Sequence, residues 1–338
     1  MTATKPTIFS GIQPTGELHL GNYIGAIRQW VDTQDEYFNI LCAVDLHAIT
    51  VYQDPAELRQ ACRQTVGILL ASGLDPEKCL IYIQSHVHAH AELAWILNCM
   101  TPVGWLLRMT QYKDKSQTQE SVSTGLLDYP VLQAADILLF DADLVPTGED
   151  QRAHIELTRD IAGRFNSLLG ETFKLPKPMI PKVGAKIRGL DDPSVKMSKS
   201  VLKNHPHHGI SLLDDPKKIL KTFKRAVTDS GSSIEFSEEP EKAGVDNLLT
   251  IYQALSGKTQ DEVIKDFASA RGYGDLKLAV GEAVVEALRP LQTRYAEIMA
   301  DPSYVDNVLH TSAQKARELC ATRMEKVKEA VGFVTEHK

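Results

Sequence analysis

The feature that most constrains this chain is a change of rhythm along its length. Through the first half, short β-prone runs alternate with helical stripes. Thr7–Ser10 is the first run; a turn-rich loop over 11–16 follows, and then Leu20, Ile24, Ile27 and Val31 recur at helical steps. Phe38–Val44 and Cys79–Gln84 read as buried strands, with Leu58, Cys62, Val66 and Leu69 forming a helical stripe between them and Ala91–Met100 a helix after them. Further on, 122–139 reads as a helix, 143–146 as a short strand and 150–169 as a helix. Strand alternating with helix predicts a parallel sheet covered on both faces. Beyond about residue 214 the strand signals fade, and periodicity predicts helices over 216–227, 245–255, 260–267, 277–300 and 303–334. The expectation is an α/β domain over 1–200 and a mainly helical region over 201–338, whose last helix packs back on the first domain.

Length and composition agree. The 338 residues suit about two domains. Five scattered cysteines without a CxxC pair argue against a zinc or iron–sulfur site and fit a reducing compartment. No apolar run approaches the ~18–20 residues that cross a bilayer, and residues 1–6 carry no signal-peptide core. A cytoplasmic protein without membrane partners is expected. The net charge of −7 does not point to nucleic acid, but a local basic face would suffice. Lys217, Lys218, Lys221, Lys224 and Arg225 cluster on one predicted helix, with 217, 221 and 224 on one face. They read either as a solvated surface or as phosphate contacts with RNA.

Three segments carry chemistry. Pro14-Thr15-Gly16-Glu17-Leu18-His19-Leu20-Gly21-Asn22 lies where the first strand gives way to a helix. Free N–H groups at a helix start suit phosphate, Gly21 admits a nucleotide close to the backbone, and His19 and Asn22 supply hydrogen bonds. Read alone, the segment is an ordinary strand-to-helix turn capped by Thr15. Lys196-Met197-Ser198-Lys199-Ser200 sets two ammonium groups three residues apart beside hydroxyls, which can clamp a polyphosphate or line a solvated basic loop. Gly148-Glu149-Asp150-Gln151 follows a strand candidate. Its carboxylates can hold ribose hydroxyls or favour a helix N-terminus.

Taken together, P-x-G-x-x-H-x-G-N, G-E-D-Q and K-M-S-K-S, in that order on an alternating pattern, resemble the class I aminoacyl-tRNA synthetases. Pro14–Asn22 is similar to their HIGH signature, with Leu20 for Ile and Asn22 for the last His, and 196–200 matches KMSKS letter for letter. Within the class, FSGIQPTGELHLGNYIGA at 9–26, AVDLHAIT at 43–50 and LLDYPVLQAADIL at 126–138 resemble the tryptophanyl enzymes of bacterial type.

The resemblance implies a Rossmann-like catalytic domain that ends in the KMSKS loop, followed by a helical tRNA- and anticodon-binding region. It implies ATP contacts from Gln13, Pro14, Thr15, Gly21 and Asn22, a ribose side held by Gly148, Glu149 and Asp150 with Gln151 nearby, and an adenine edge against Ile187. Lys196, Met197, Ser198, Lys199 and Ser200 face the phosphates, with His19, Asn22, Lys196 and Lys199 as the catalytic set. Asp136 accepts the indole N–H. Tyr129 and Gln133, seven and three residues before it, share its helix face and address the ammonium or ring. Phe9, His47 and Gln111 belong to the same pocket, against plainer readings of His47 as a loop histidine and Gln111 as a polar helix face. The remaining histidines, at 86, 88, 90, 205, 207 and 208, read as polar loops. Mg²⁺ accompanies ATP, mostly water-coordinated, and no metal is held by the protein. The implied partners are tRNA(Trp), L-tryptophan, ATP and a second copy of the chain.

Two positions depart from the family pattern. Gln133 stands where bacterial tryptophanyl enzymes often carry Met, and Y-x-x-x-Q-x-x-D also resembles the tyrosyl enzymes, so tyrosine activity is the alternative. Against it, tyrosyl enzymes resemble Y-C-G-F-D-P where this chain has Phe9-Ser10-Gly11-Ile12-Gln13-Pro14. The second departure is VLKNHPHHG at 201–209, where an acidic residue often follows KMSKS. The more distant rivals are a small-molecule nucleotidyltransferase and a synthetase-derived RNA-binding protein.

Overall fold

The computed structural model describes residues 5–113, 122–148, 151–179 and 187–334, apart from the side chains at 200 and 203. Five parallel strands form one sheet: β1 (Thr7–Ile12), β2 (Phe38–Ala43), β3 (Leu80–Ile83), β4 (Leu144–Pro146) and β5 (Lys177–Met179), in the order β3-β2-β1-β4-β5. β1 pairs with β2 from Thr7↔Phe38 to Ile12↔Ala43, and with β4 at Ile8↔Leu144. The order reverses at β1, so the crevice beyond Ile12 is the switch point where open α/β sheets bind ligands. β5 is the strand that sequence reading omits. Its three residues are Lys-Pro-Met, two of them exposed, so it has neither an apolar run nor alternation to betray it.

Between the strands lie α1 (Leu20–Asn22), α2 (Arg28–Thr33), α3 (Asp45–Ala48), α4 (Pro55–Ala71), α5 (Ala89–Asn98), α6 (Val103–Leu106), α7 (Thr124–Leu138) and α8 (Arg152–Leu169). α1 runs into α2 through a π-helical turn at Tyr23–Ile27. The helix start is a correction to the sequence reading. His19, not Thr15, occupies the cap position, in extended conformation, and its backbone N–H donates to Asn22 Oδ1 at 3.1 Å. Beyond the sheet come α9 (Lys199–Asn204), α10 (Pro216–Arg225), α11 (Ala243–Ser256), α12 (Gln260–Asp266), α13 (Tyr273–Ala300) and α14 (Pro302–Val331).

Strand residues alternate between two cores, as a pleated sheet requires. Leu41, Ala43, Ile81 and Ile83 face one core, which continues without a break into Phe223, Leu248, Val280 and Leu288 of the later helices. Phe9, Ile40, Cys42, Leu80 and Tyr82 face the other, closed by α5, α7, α8 and, from α14, Ala316, Cys320, Met324 and Val327. The last helix therefore covers the β3 edge of the sheet.

Candidate active site

The first signature segment leaves β1 and doubles back through Gly16, whose φ of +65° belongs to the left-handed region that glycine tolerates. The second signature approaches it from across the crevice. Lys199 Nζ donates to the Gln13 carbonyl at 2.8 Å. A Cβ on Gly16 would lie 3.3 Å from that of Lys199, and one on Gly21 would lie 3.6 Å from Cβ of Ile187. Gln13, Thr15, Gly16, Gly21, Ile187 and Lys199 are thus brought together, with Pro14 buried beneath them.

The second signature is held by a small antiparallel ladder. Gly189 N–H donates to Val195 O at 2.8 Å and Met197 N–H to Ile187 O at 3.0 Å. Met197 and Ile187 anchor it in the core; Lys196 is exposed, and Ser198 caps α9. Ile187, whose backbone is expected against the adenine edge, accepts from Met197 through its carbonyl.

Electrostatics separate the two ends of the crevice. Burial, reinforced by the charges of Lys199, Lys196 and His208, pushes the His19 ring down to about 3, so it is neutral at pH 7. Among the described residues its Nδ1 is buried without a partner. Burial also lowers Lys199 to about 8. Gly148 follows β4 and its carbonyl accepts from Gln151 N–H at 3.0 Å; Glu149 and Asp150 lie outside the described residues.

Around Asp136 lies a closed polar network. Asp136, on α7, is 1% exposed. Its Oδ1 accepts from Gln84 Nε2 at 2.6 Å and meets His90 Nδ1 at 2.6 Å, while Oδ2 meets His47 Nε2 at 2.8 Å. Burial alone would push this carboxyl up; the His90 charge and the hydrogen bonds from His47 and His90 outweigh it and bring it to about 2. A carboxylate offers about four lone-pair sites. Three are taken among the described residues, which leaves one position on Oδ2 that no described residue fills.

Tyr129 lies on the same helix but in a second network. Its hydroxyl donates to Gln111 Oε1 at 2.9 Å and meets His154 Nε2 at 2.8 Å. His47 joins the two networks, its ring edge-on to Tyr129 at 6.3 Å. Gln133 is half-buried between them on α7. Phe9 is buried and stacks on Phe140 at 6.1 Å, so it serves the core as well as any pocket.

Two histidine readings need correction. His90 is fully buried, and its other nitrogen meets Tyr82 OH at 2.9 Å. Its polar-loop reading fails because α5 starts at Ala89 and turns the ring inward. His208 is also buried, against Asp191. His86 and His88 are exposed, as expected. Sequence reasoning missed Gln84 and His90 as partners of Asp136; the one signal was a polar Gln84 at the end of an otherwise apolar strand. Among the described residues no three His, Cys, Asp or Glu side chains are grouped to hold a metal ion.

The comparisons with known proteins follow this geometry. Residues 1–289 match the family model for class I tRNA synthetases of the W and Y type. The chain is 53% identical over 331 residues to a tryptophan–tRNA ligase of Wolinella succinogenes, covering 98% of this chain and 99% of that protein. It superposes on a tryptophanyl-tRNA synthetase of Mycoplasma pneumoniae with a TM-score of 0.89 at 33% identity, over 98% of this chain and 99% of that one. A Campylobacter jejuni tryptophanyl-tRNA synthetase, solved with ADP and tryptophan, gives a TM-score of 0.83 at 35% identity over 97% and 100% of the two chains. This chain therefore belongs to the class I tRNA synthetases of the tryptophan and tyrosine type, in their bacterial tryptophanyl branch.

Proposed function

We propose that this chain activates L-tryptophan with ATP and transfers it to tRNA(Trp). The observation that carries the reading is Asp136, buried, ionised and with one acceptor position that no described residue fills. An indole N–H fills that position. An apolar side chain leaves it empty, and such sites reject the analogue by roughly 10⁴ or more. His47, Gln84 and His90 hold the carboxylate; Tyr129, Gln133, Gln111 and Phe9 form the walls beside it.

The tryptophan carboxylate attacks the α-phosphorus in line, the new O–P bond forms, and the bond to the β-phosphate oxygen breaks to release pyrophosphate. No protein nucleophile takes part, so the chain's contribution is positioning and charge stabilisation. Gln13, Pro14, Thr15, Gly21 and Asn22 hold ATP from one side, with Gly148, Glu149, Asp150, Gln151 and Ile187 at its ribose and adenine. Lys196 and Lys199, carried with Met197, Ser198 and Ser200, take the charge that develops on pyrophosphate. His19, being neutral, donates one N–H without adding charge. The described side chains here are donors and cations, which fits a Mg²⁺ held by the phosphates and water; when bound it neutralises phosphate charge. In the second step a hydroxyl of the tRNA's terminal adenosine attacks the adenylate carbonyl and AMP leaves.

Residues 1–200 carry the chemistry in this reading and 201–338 bind tRNA. Lys217, Lys221 and Lys224 support the second part: all are exposed on α10, whose opposite face buries Ile219 and Phe223. A homodimer is supported by Trp95, Val103 and Leu107, large apolar side chains 70%, 58% and 46% exposed around α5 and α6. Among the described residues no helix is long and apolar enough to cross a membrane. The reading places the protein in the cytoplasm.

The test is amino-acid-dependent exchange of labelled pyrophosphate into ATP, with tryptophan and tyrosine side by side and no tRNA. Exchange with tryptophan alone is expected. Exchange with tyrosine alone would overturn the substrate, and exchange with neither would move the chain to an RNA-binding role.

A further inference from the structure

The segment 201–209 departs from the family pattern, and it ends in a buried histidine. His208 is 1% exposed. Its Nδ1 lies 2.6 Å from Asp191 Oδ1, and its Nε2 lies 3.2 Å from the carbonyl oxygen of Lys196. Both facing atoms are acceptors, so a ring that serves both donates from both nitrogens. The ring sits in a fitted cradle. A Cβ on Gly189 would overlap it, and the Leu190 N–H donates to the His208 carbonyl at 2.8 Å. The next residue closes on the same loop: a Cβ on Gly209 would lie 2.7 Å from Cγ of Met197.

The other end of this strap grips the first signature. Leu20 N–H donates to Ile210 O at 2.9 Å, and Leu212 N–H donates to Leu18 O at 2.9 Å, on either side of the His19↔Ser211 bridge. The five-residue strap 208–212 thus joins Lys196 to the residues flanking His19, with hydrogen bonds at each end. We propose that His208 is a positioning residue: it fastens the Lys196 peptide to the strap and so sets the second signature at a fixed distance from the first. The Lys196 side chain itself makes no bond with the ring. His208 touches no reacting atom and acts through the lysine it places. This inference rests on the reading of Lys196 as a phosphate-binding residue.

Asparagine and glutamine separate the two nitrogens. The amide of His208→Asn reaches where Nδ1 was and keeps Asp191; that of His208→Gln reaches where Nε2 was and keeps the Lys196 carbonyl. The experiment is tryptophan-dependent pyrophosphate exchange by the full-length protein. H208N should lower kcat/KM for ATP on the order of tenfold, the worth of one charge-assisted hydrogen bond, with KM for tryptophan unchanged. H208Q should stay within about threefold of the parent, by retention of that bond. In a Lys196→Ala background H208N should cost nothing further. Equal kinetics for H208N and H208Q, or an undiminished H208N effect without Lys196, would overturn the proposal. Should H208N fail to fold, Asp191→Asn is measured in its place. A loss confined to ATP that vanishes in K196A supports the latch, and no loss overturns it. K196A alone keeps the two readings apart: if it leaves exchange intact, the role of Lys196 fails first.

Discussion

In the proposed reading, the two ends of the site recognise their ligands by opposite means. At the proposed amino-acid end, Asp136 is 1% exposed and held by three donors, from α3, from α5 and from the turn just after β3. At the proposed phosphate end, Lys196 is exposed and Lys199 half-buried, its one bond among the described residues being to the Gln13 carbonyl. The first is an immobile acceptor whose charge is fixed before the ligand arrives. The second is a pair of long cationic side chains on a loop with a ladder at one end and a short helix at the other. Discrimination between similar amino acids needs a site that cannot adapt, since an unfilled buried acceptor is what rejects the wrong one. Charge that appears only as pyrophosphate leaves needs groups that can follow it.

The largest effect should come from breaking the rigid end. Asp136→Asn sets an amide where three donors converge. Exchange with tryptophan should fall by about 10³ or more, and stability should fall by about 3–5 kcal/mol as the buried network loses its anion. Steady-state exchange and thermal melting check the two arms. An Asp136→Asn protein with nearly normal kcat/KM would erase the contrast. Lys199→Ala comes next, with kcat lower by about 10² and a melting temperature that does not fall, because the variant loses the desolvation cost of the ammonium along with its one described bond. Equal damage to stability would mean that the phosphate end is as rigid as the other.

The two ends should also titrate in opposite windows. Burial holds Lys199 at about 8, below its ordinary 10.5, so its charge is lost as pH rises through 8. The kcat/KM for ATP should fall above that pH, and Lys199→Arg should remove the fall. The unfolded lysine keeps its proton up to 10.5, so the cost of burying the ammonium is present below pH 8 and relieved between 8 and 10.5. Asp136 behaves in reverse. Its pKa drops from 3.8 to about 2, worth about 2 kcal/mol at 1.36 kcal/mol per unit. That stability is present above pH 3.8 and lost as pH falls toward 2, so chemical denaturation of Asp136→Asn at pH 7 and pH 3 should show the parent's excess shrinking.

Legibility in the sequence follows the same divide. The alternation of runs and stripes made the parallel sheet readable, and the two segments proposed to hold phosphate could be singled out because each is contiguous: Pro14–Asn22 and 196–200 announce themselves within a few positions. The amino-acid end is assembled from residues far apart. Asp136, Tyr129 and Gln133 share a helix stripe and could be found together, but the packing of α5 on α7 that delivers His90 leaves no mark at position 90. Histidines alternating by two looked like a polar loop because periodicity says nothing about which turn of a helix faces inward. His208 was hidden for the same reason, its partners lying on a hairpin eleven or more residues earlier. The start of α1 at Leu20 was legible from its stripe; only the plainer reading of Thr15 as its cap fails, because Asn22 takes the His19 N–H.

The smallest expected effect is the most informative about specificity. Gln133 lies one turn before Asp136 on α7 and is half-buried. None of the three described donors on Asp136 is Gln133, so the polar recognition of the indole N–H is complete without it. Gln133→Met exchanges a polar wall for an apolar one of similar length, and such volume-conserving swaps cost little. The KM for tryptophan should shift by no more than about threefold in either direction, by that same tolerance, and tyrosine should remain inactive in pyrophosphate exchange. A gain of tyrosine exchange in this variant, or a tryptophan loss approaching that of Asp136→Asn, would mean that the wall and not the buried carboxylate decides which ring is accepted. The rigid end would then owe its selectivity to shape, and the contrast between the two ends would lie in packing instead of charge.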